Sequence, residues 1–444
     1  LVKLLGTETL STLERRVGAT HALTSGAFLP PFSPPVSKDS EQASSKGSAS
    51  MSKLPIVCDN GTGFVKLGFA GEYFPSHIFP SMIGTPTMKY SEEFQDVDLN
   101  EVVVGDKAQE YRHMLEVKYP VQAGKILYWK GKYSIHHIWK YAFEDKLGIN
   151  PEDHNILLTE APSNPRSNKI KMLEAMLETY RFNGATCAMQ ALLALHAQGL
   201  VTGAVLDAGD GVSHCIPVWE GILLKDRIKR LDVAGRNVTE RLIKLLQARG
   251  FNFHRSADMD TVRRIKEKFC YVGYDLDVEN KLAVDTTVLT KKYKLPDGRN
   301  IVLGAERFKA PEVLFQPHLG DEKYAEQVGI HEMIYNMIRE CSKDLQKDLF
   351  SGIVLSGGST MYPGLPTRLK KEITQLVLNK TLDGDKARLK KFKIGVEAPP
   401  RRKYMVFLGG AVLADLMKDK EQFWISRAEW EEKGGERLLT ERGM

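Results

Sequence analysis

The chain has 444 residues, 42% hydrophobic and 27% charged, the composition of a globular protein with room for two or more cores. A formal net charge of +6 is too small an excess at this length to imply nucleic acid, and no uninterrupted apolar segment approaches the roughly 18 residues of a membrane span. The five cysteines, Cys58, Cys187, Cys215, Cys270 and Cys341, are odd in number, form no CxxC and sit in apolar runs, which fits reduced, buried thiols in a cytosolic protein.

Leu1 to Ser50 runs into Pro- and Ser-rich text that cannot bury enough apolar surface to order itself, so it is expected to be a disordered extension. It reads as upstream sequence ahead of a natural start at Met51. Arg15, Arg16 and several serines leave a transit peptide as the alternative, against which Glu8, Glu14 and the prolines argue.

From Met51 an apolar strand delivers Asp59-Asn60-Gly61-Thr62-Gly63, and the alternating run Phe64-Val65-Lys66-Leu67-Gly68-Phe69 returns as the second arm of a hairpin. A polar insertion at about residues 81–116 follows, and helical text is clearest over Asn168 to Arg181 and Ala188 to Ala197. The pattern then repeats 148 residues further along: an apolar strand, Asp207-Ala208-Gly209-Asp210-Gly211, and the β-rich Val212 to Val218. More helical text covers Val238 to Arg249, Thr261 to Val272 and Gly329 to Asp348, with a hairpin around Pro296-Asp297-Gly298. Ile353 to Ser356 is a buried strand leading into Gly357-Gly358, where a backbone can pass close to a flat base or ribose, and Gly409-Gly410 lie in a helix whose small residues point to close packing. The basic stretch Lys386 to Lys403 reads as a solvated face with one useful lysine.

Glycines in such turns let amide N–H groups approach phosphate oxygens, and each aspartate can hold a divalent cation directly or through water. Neither copy opens a helix or carries GxxxxGK[ST], which excludes a dinucleotide fingerprint and a P-loop. One copy alone is equally an ordinary tight turn. Two matched copies make an internal duplication: two α/β halves, each sheet covered by helices, with a ligand expected in the crevice between them.

Several longer segments bear on identity: CDNGTGFVKLGFAG from Cys58, ILLTEAPSNP from Ile156, DAGDGVSH from Asp207, RRIKEKFCYVGY from Arg263, LSGGSTMYPGLPTRL from Leu355 and PPRRKYMVFLGGAVLADLMKDK from Pro399. In this order the chain resembles the actin superfamily from Met51 to the C-terminus. The resemblance implies an α/β fold, the duplicated actin-like ATPase fold shared with Hsp70 and sugar kinases, with two lobes around a nucleotide cleft. The lobes would span residues 51–197 and 198–404, the second with a smaller subdomain at about 234–324, and residues 405–444 would pack back on the first.

The same resemblance implies ATP and Mg²⁺ as cofactors. Asp59 and Asp207 would hold the metal through water, and Lys66 would neutralise phosphate charge beside Asn60, Gly61, Thr62 and Gly63 and beside Gly209, Asp210, Gly211 and Val212. Gln190 and His214 would position the attacking water. Arg263, Lys266 and Glu267, at i, i+3, i+4 spacing on one helical face, would meet the base and ribose opposite Gly358, Tyr362 and Lys403.

Three features depart from the family pattern. Ala208 replaces a common serine, Trp129 to His137 is longer than its counterpart and leaves the local helix start open, and His196 stands in place of a groove tyrosine. The acidic run Lys89 to Asn100 occupies the place of the apolar filament-contact loop and would seat poorly in a neighbour's groove, which argues against self-polymerisation.

The implied role is an ATP-binding actin-related subunit of the complex that nucleates branched actin filaments, in cytoplasm and cytoskeleton, with any hydrolysis serving as a slow timer. Implied partners are actin, the other subunits of that complex and nucleation-promoting factors. The alternatives are a conventional or nuclear actin-like protein, or a superfamily kinase or chaperone ATPase; the last two need a substrate-pocket base or a peptide-binding domain that the sequence does not display.

Overall fold

The structure is a computed structural model describing residues 54–87, 102–254 and 256–443. The expectations for Leu1 to Ser50 and for the acidic run Lys89 to Asn100 fall outside these residues. Seven strands organise the molecule: β1 (Ile56–Asn60), β2 (Phe64–Phe69), β3 (Asn155–Glu160), β4 (Gly184–Met189), β5 (Gly203–Ala208), β6 (Ser213–Trp219) and β7 (Ile353–Ser356).

The first sheet has the order Ile425–Ser426, β4, β3, β1, β2, His77–Pro80. β1, β3 and β4 run parallel, and β2 returns antiparallel to β1. Every residue of β1 and β3 is buried, as near-continuous apolar runs in a parallel sheet covered on both faces must be. The second sheet repeats the device: β6 returns antiparallel to β5, while β7 lies parallel to β5 on its other side. Even the register repeats. Asp59 pairs with Lys66 across the first hairpin, and Asp207 pairs with His214 across the second.

Four helices position the site: α1 (Gln190–His196), α2 (Gly235–Ala248), α3 (Ser256–Phe269) and α4 (Met405–Met417). α2 and α3 belong with the second sheet, where Val238, Leu242 and Leu246 of α2 share a core with Val262 and Ile265 of α3. α4 packs on the first sheet, Phe407, Ala411 and Ala414 meeting Val57 and Leu157. The tightness comes from its glycines: a Cβ at Gly409 would fall 1.9 Å from the Leu193 carbonyl oxygen of α1.

Helix boundaries differ from the sequence reading at several places: the Thr261 to Val272 text, for one, is α3, which starts at Ser256 and ends at Phe269. Ala188 and Met189 are the last residues of β4, so Gln190 starts α1 and does not lie inside a longer helix. The stretch Gly329 to Asp348 is two helices, Ile330–Glu340 and Lys343–Ser351, because Cys341 and Ser342 are extended and Ser342 takes the N-cap position. In the Trp129 to His137 stretch, whose helix start was left open, Lys130 to Lys132 are exposed and Tyr133, Ser134 and Ile135 are buried. Ser134 Oγ accepts from the His136 N–H at 3.3 Å and starts helix Ile135–Lys140, which continues into a π-helical turn closed by left-handed Gly148.

All five cysteines are buried and free. Among the described residues no helix is long and apolar enough to cross a membrane.

Candidate functional site

The two acidic turns abut. A Cβ added at Gly63 would lie 2.9 Å from Asp210 Cβ, and one at Gly211 would lie 2.9 Å from Thr62 Cγ2, so each glycine is required by the other turn. Gly357, at φ 89°, leaves β7 beneath them with room for a Cβ blocked by the Ala208 backbone at 2.2 Å. Ser359 Oγ–H donates to the Gly209 carbonyl at 2.6 Å and fastens this third glycine turn to the second.

Together they wall a cavity of about 720 Å³ between the two sheets. Its lining includes Asp59, Asn60, Gly61, Thr62, Gly63, Lys66 and Gln190 from the first half. From the second half come Asp207, Gly209, Asp210, Gly211, Val212, His214, Arg263, Lys266, Glu267, Gly358, Tyr362 and Lys403. Every residue given a nucleotide, metal or water role by the family resemblance therefore borders one space.

Asp59 is the most heavily tied. Its carboxylate accepts from Lys66 Nζ at 2.6 Å, Thr159 Oγ1 at 2.6 Å and Gln190 Nε2 at 3.3 Å. Starting α1 at Gln190 is what brings that amide onto the carboxylate. Burial, and to a lesser extent the charge of Asp59, push the Asp207 carboxyl above the usual range, with the Ser356 hydroxyl and Lys66 opposing. Two carboxylates facing one space with a single lysine between them form a donor set that a hydrated divalent cation fits.

The amides are shared differently from the simplest expectation. Gly61 N–H already donates to the Asp59 carbonyl at 3.1 Å, and Gly209 N–H to Val212 O at 3.0 Å, because these bonds close the turns themselves. Asn60 also turns its side chain inward, its Oδ1 accepting from Trp139 Nε1 at 3.1 Å.

On the far wall, Lys266 is buried and its Nζ donates to the Gly235 carbonyl at 2.9 Å; burial pushes its pKa down. Arg263 lies 4.9 Å over the Phe64 ring and pairs with Asp260 and Glu267. Asp260 in turn accepts from Gln109 Nε2 at 3.2 Å, a hydrogen bond between the halves beside the Arg263–Phe64 contact. Phe64, Thr159, Gln109 and Asp260 were not singled out from the sequence.

A model of the actin family matches residues 51–443. The chain belongs to the actin family. Among its relatives, actin-related protein 2 of Acanthamoeba castellanii is 53% identical over 379 residues, covering 85% of this chain and 96% of that protein. Actin-related protein 2 of Drosophila melanogaster is 51% identical over 385 residues, covering 85% of this chain and 95% of the relative. That of Caenorhabditis briggsae is 50% identical over 397 residues, covering 89% and 99%.

Two histidines of this actin-family chain are buried neutral. Burial pushes His214, in the cavity wall, and His196, at the end of α1, down to about 4 from an ordinary 6.5. His196 is only 3% exposed, with Nδ1 unpartnered, so it is a packed residue and does not present itself to a groove. Between those pH values the unfolded chain binds more protons than the folded one, so the stability they contribute is full above about pH 6.5 and is lost as pH falls towards 4. His196→Leu is expected to lose about 3 kcal/mol less than the parent chain between pH 7 and pH 4. Urea midpoints at the two pH values check this, and parallel losses in both proteins would refute it.

Proposed function

We propose that the cavity binds ATP with Mg²⁺ and that the chain serves as the actin-related subunit of the actin-related protein 2/3 complex, at the start of a daughter actin filament. The observation that carries the reading is the contact of the two acidic glycine turns across one cavity. Their sequence order and register match the duplicated clamp, and the relatives named actin-related protein 2 support the particular branch of the family.

Bound there, the nucleotide and its cation supply concentrated charge that both halves must neutralise together, so occupancy favours the closed arrangement of the two sheets. Asp59 and Asp207 would hold the cation through water, Lys66 would give up its carboxylate partner for a phosphate, and Thr62, Gly63, Asp210 and Gly211 would bring their amides alongside. Arg263, Lys266, Glu267, Gly358, Tyr362 and Lys403 would frame the base and ribose. His214, neutral at physiological pH and with Nε2 unpartnered, would orient water with Gln190. Hydrolysis would act as a timer on the closed form, and actin, the other complex subunits and nucleation-promoting factors would be the partners, in the cytoplasm and its cytoskeleton.

The chain reconstituted with the remaining subunits is expected to bind ATP and to accelerate pyrene-actin assembly, and omission of the chain should abolish the acceleration. Absence of ATP binding, or salt-induced filaments from the chain alone, would overturn the reading.

A further inference from the structure

A second cavity, of about 420 Å³, opens behind the first and lies outside everything the nucleotide reading uses. It is lined by the end of α3 and the residues after it, with Pro363 forming a wall common to both cavities. Phe269 and Tyr271 give it two aromatic faces, and Leu289 adds an aliphatic one.

Its charge is unbalanced. Arg307 Nε donates to the Phe269 carbonyl at 2.9 Å and Nη1 to the Leu289 carbonyl, while the guanidinium lies 5.0 Å from the Tyr271 ring centre. Backbone carbonyls and a ring fix the group without neutralising it: among the described residues no carboxylate lies within ion-pair distance of Arg307. Lys268 at the rim rests on the Phe269 ring at 5.4 Å, and among the described residues it too has no ion-pair partner. Glu279, the one carboxylate among the described lining residues, accepts from the Tyr271 hydroxyl at 2.7 Å and keeps its charge, so two cations against one anion leave the lining with a net positive charge of one. A half-buried, pre-oriented arginine in an aromatic-lined cavity with an excess positive charge suits a flat ring bearing one anionic group, which packs beside the rings and supplies the missing counter-charge.

We infer that this cavity is a binding site for a small planar organic anion. The inference stands apart from the nucleotide reading. The probe is 1-naphthoate, titrated into the full chain by calorimetry beside the uncharged 1-naphthamide. Naphthoate is expected to bind with a dissociation constant of about 1 mM or tighter, and at least tenfold more tightly than the amide. Arg307→Met should abolish that preference; because Arg307 also ties two carbonyls, Lys268→Glu, a change at an exposed rim, is the second variant and should weaken naphthoate about threefold or more. Naphthoate binding should persist at saturating ATP. No binding, equal binding of acid and amide, indifference to both substitutions, or exclusion by ATP would each overturn the assignment, whatever the chain's affinity for ATP proves to be.

Discussion

Asp207→Asn is expected to weaken ATP binding in the presence of Mg²⁺ by about 10–100-fold while leaving the nucleotide-free protein as stable as before, or slightly more so. The opposite signs follow from the surroundings of this carboxyl. Burial and the nearby charge of Asp59 push its pKa up, so without a cation its negative charge is a liability that the amide removes. On the proposed reading, the same charge would be one of two carboxylates holding a hydrated cation, for which the amide would be a poor substitute. Asp59→Asn should behave differently, because Asp59 is bonded by Lys66, Thr159 and Gln190 and its loss strands a Lys66 ammonium that is only 19% exposed. That variant should lose apo stability as well as affinity. Titration of a fluorescent ATP analogue with and without Mg²⁺, beside thermal melts of both apo variants, separates the cases. Unchanged affinity in Asp207→Asn, or equal loss of apo stability in both, would mean that the paired carboxylates do not act as the cation clamp.

How much of this was legible beforehand depends on how far each feature reaches along the chain. The two Asp-x-Gly-x-Gly turns could be read because each is local, and their repetition carried the information that they belong together. Helix-face spacing likewise put Arg263, Lys266 and Glu267 on one side of α3. Residues that complete the site through distant partners were not legible. Thr159 reaches Asp59 only because β3 lies beside β1, and Gln109 meets Asp260 across 151 residues because the two halves close on each other. Nothing in local periodicity encodes those adjacencies. The break at Cys341 and Ser342 is a different failure: apolar spacing continues in phase across it, and only the serine, a good N-cap, marks the restart. Gln190 shows the same weakness at a boundary: the helical text begins at Ala188, whereas α1 begins two residues later, at Gln190.

Gly409→Ala is expected to lower the unfolding free energy by about 2–4 kcal/mol, although alanine is the better helix former. In an exposed helix interior the exchange would stabilise by about 1 kcal/mol. Here the new Cβ would sit 1.9 Å from the Leu193 carbonyl oxygen and 2.5 Å from its carbon, backbone atoms of α1 that have no rotamer to escape into. α4 and α1 must therefore separate. The neighbouring Gly410 supplies the comparison, because its Cβ would meet side-chain atoms instead of backbone, Val57 Cγ1 at 2.9 Å and Leu157 Cδ2 at 3.5 Å, so Gly410→Ala should cost less than Gly409→Ala. Separation of the two helices also reaches the site: Leu193 lies three residues after Gln190, whose amide rests on Asp59 at 3.3 Å. Gly409→Ala should therefore weaken Mg²⁺-dependent ATP binding as well as shift the urea midpoint, and Gly410→Ala should leave that binding near the parent value. Equal midpoints for the two variants would show that α4 does not lie as close to α1 as the glycine contact requires.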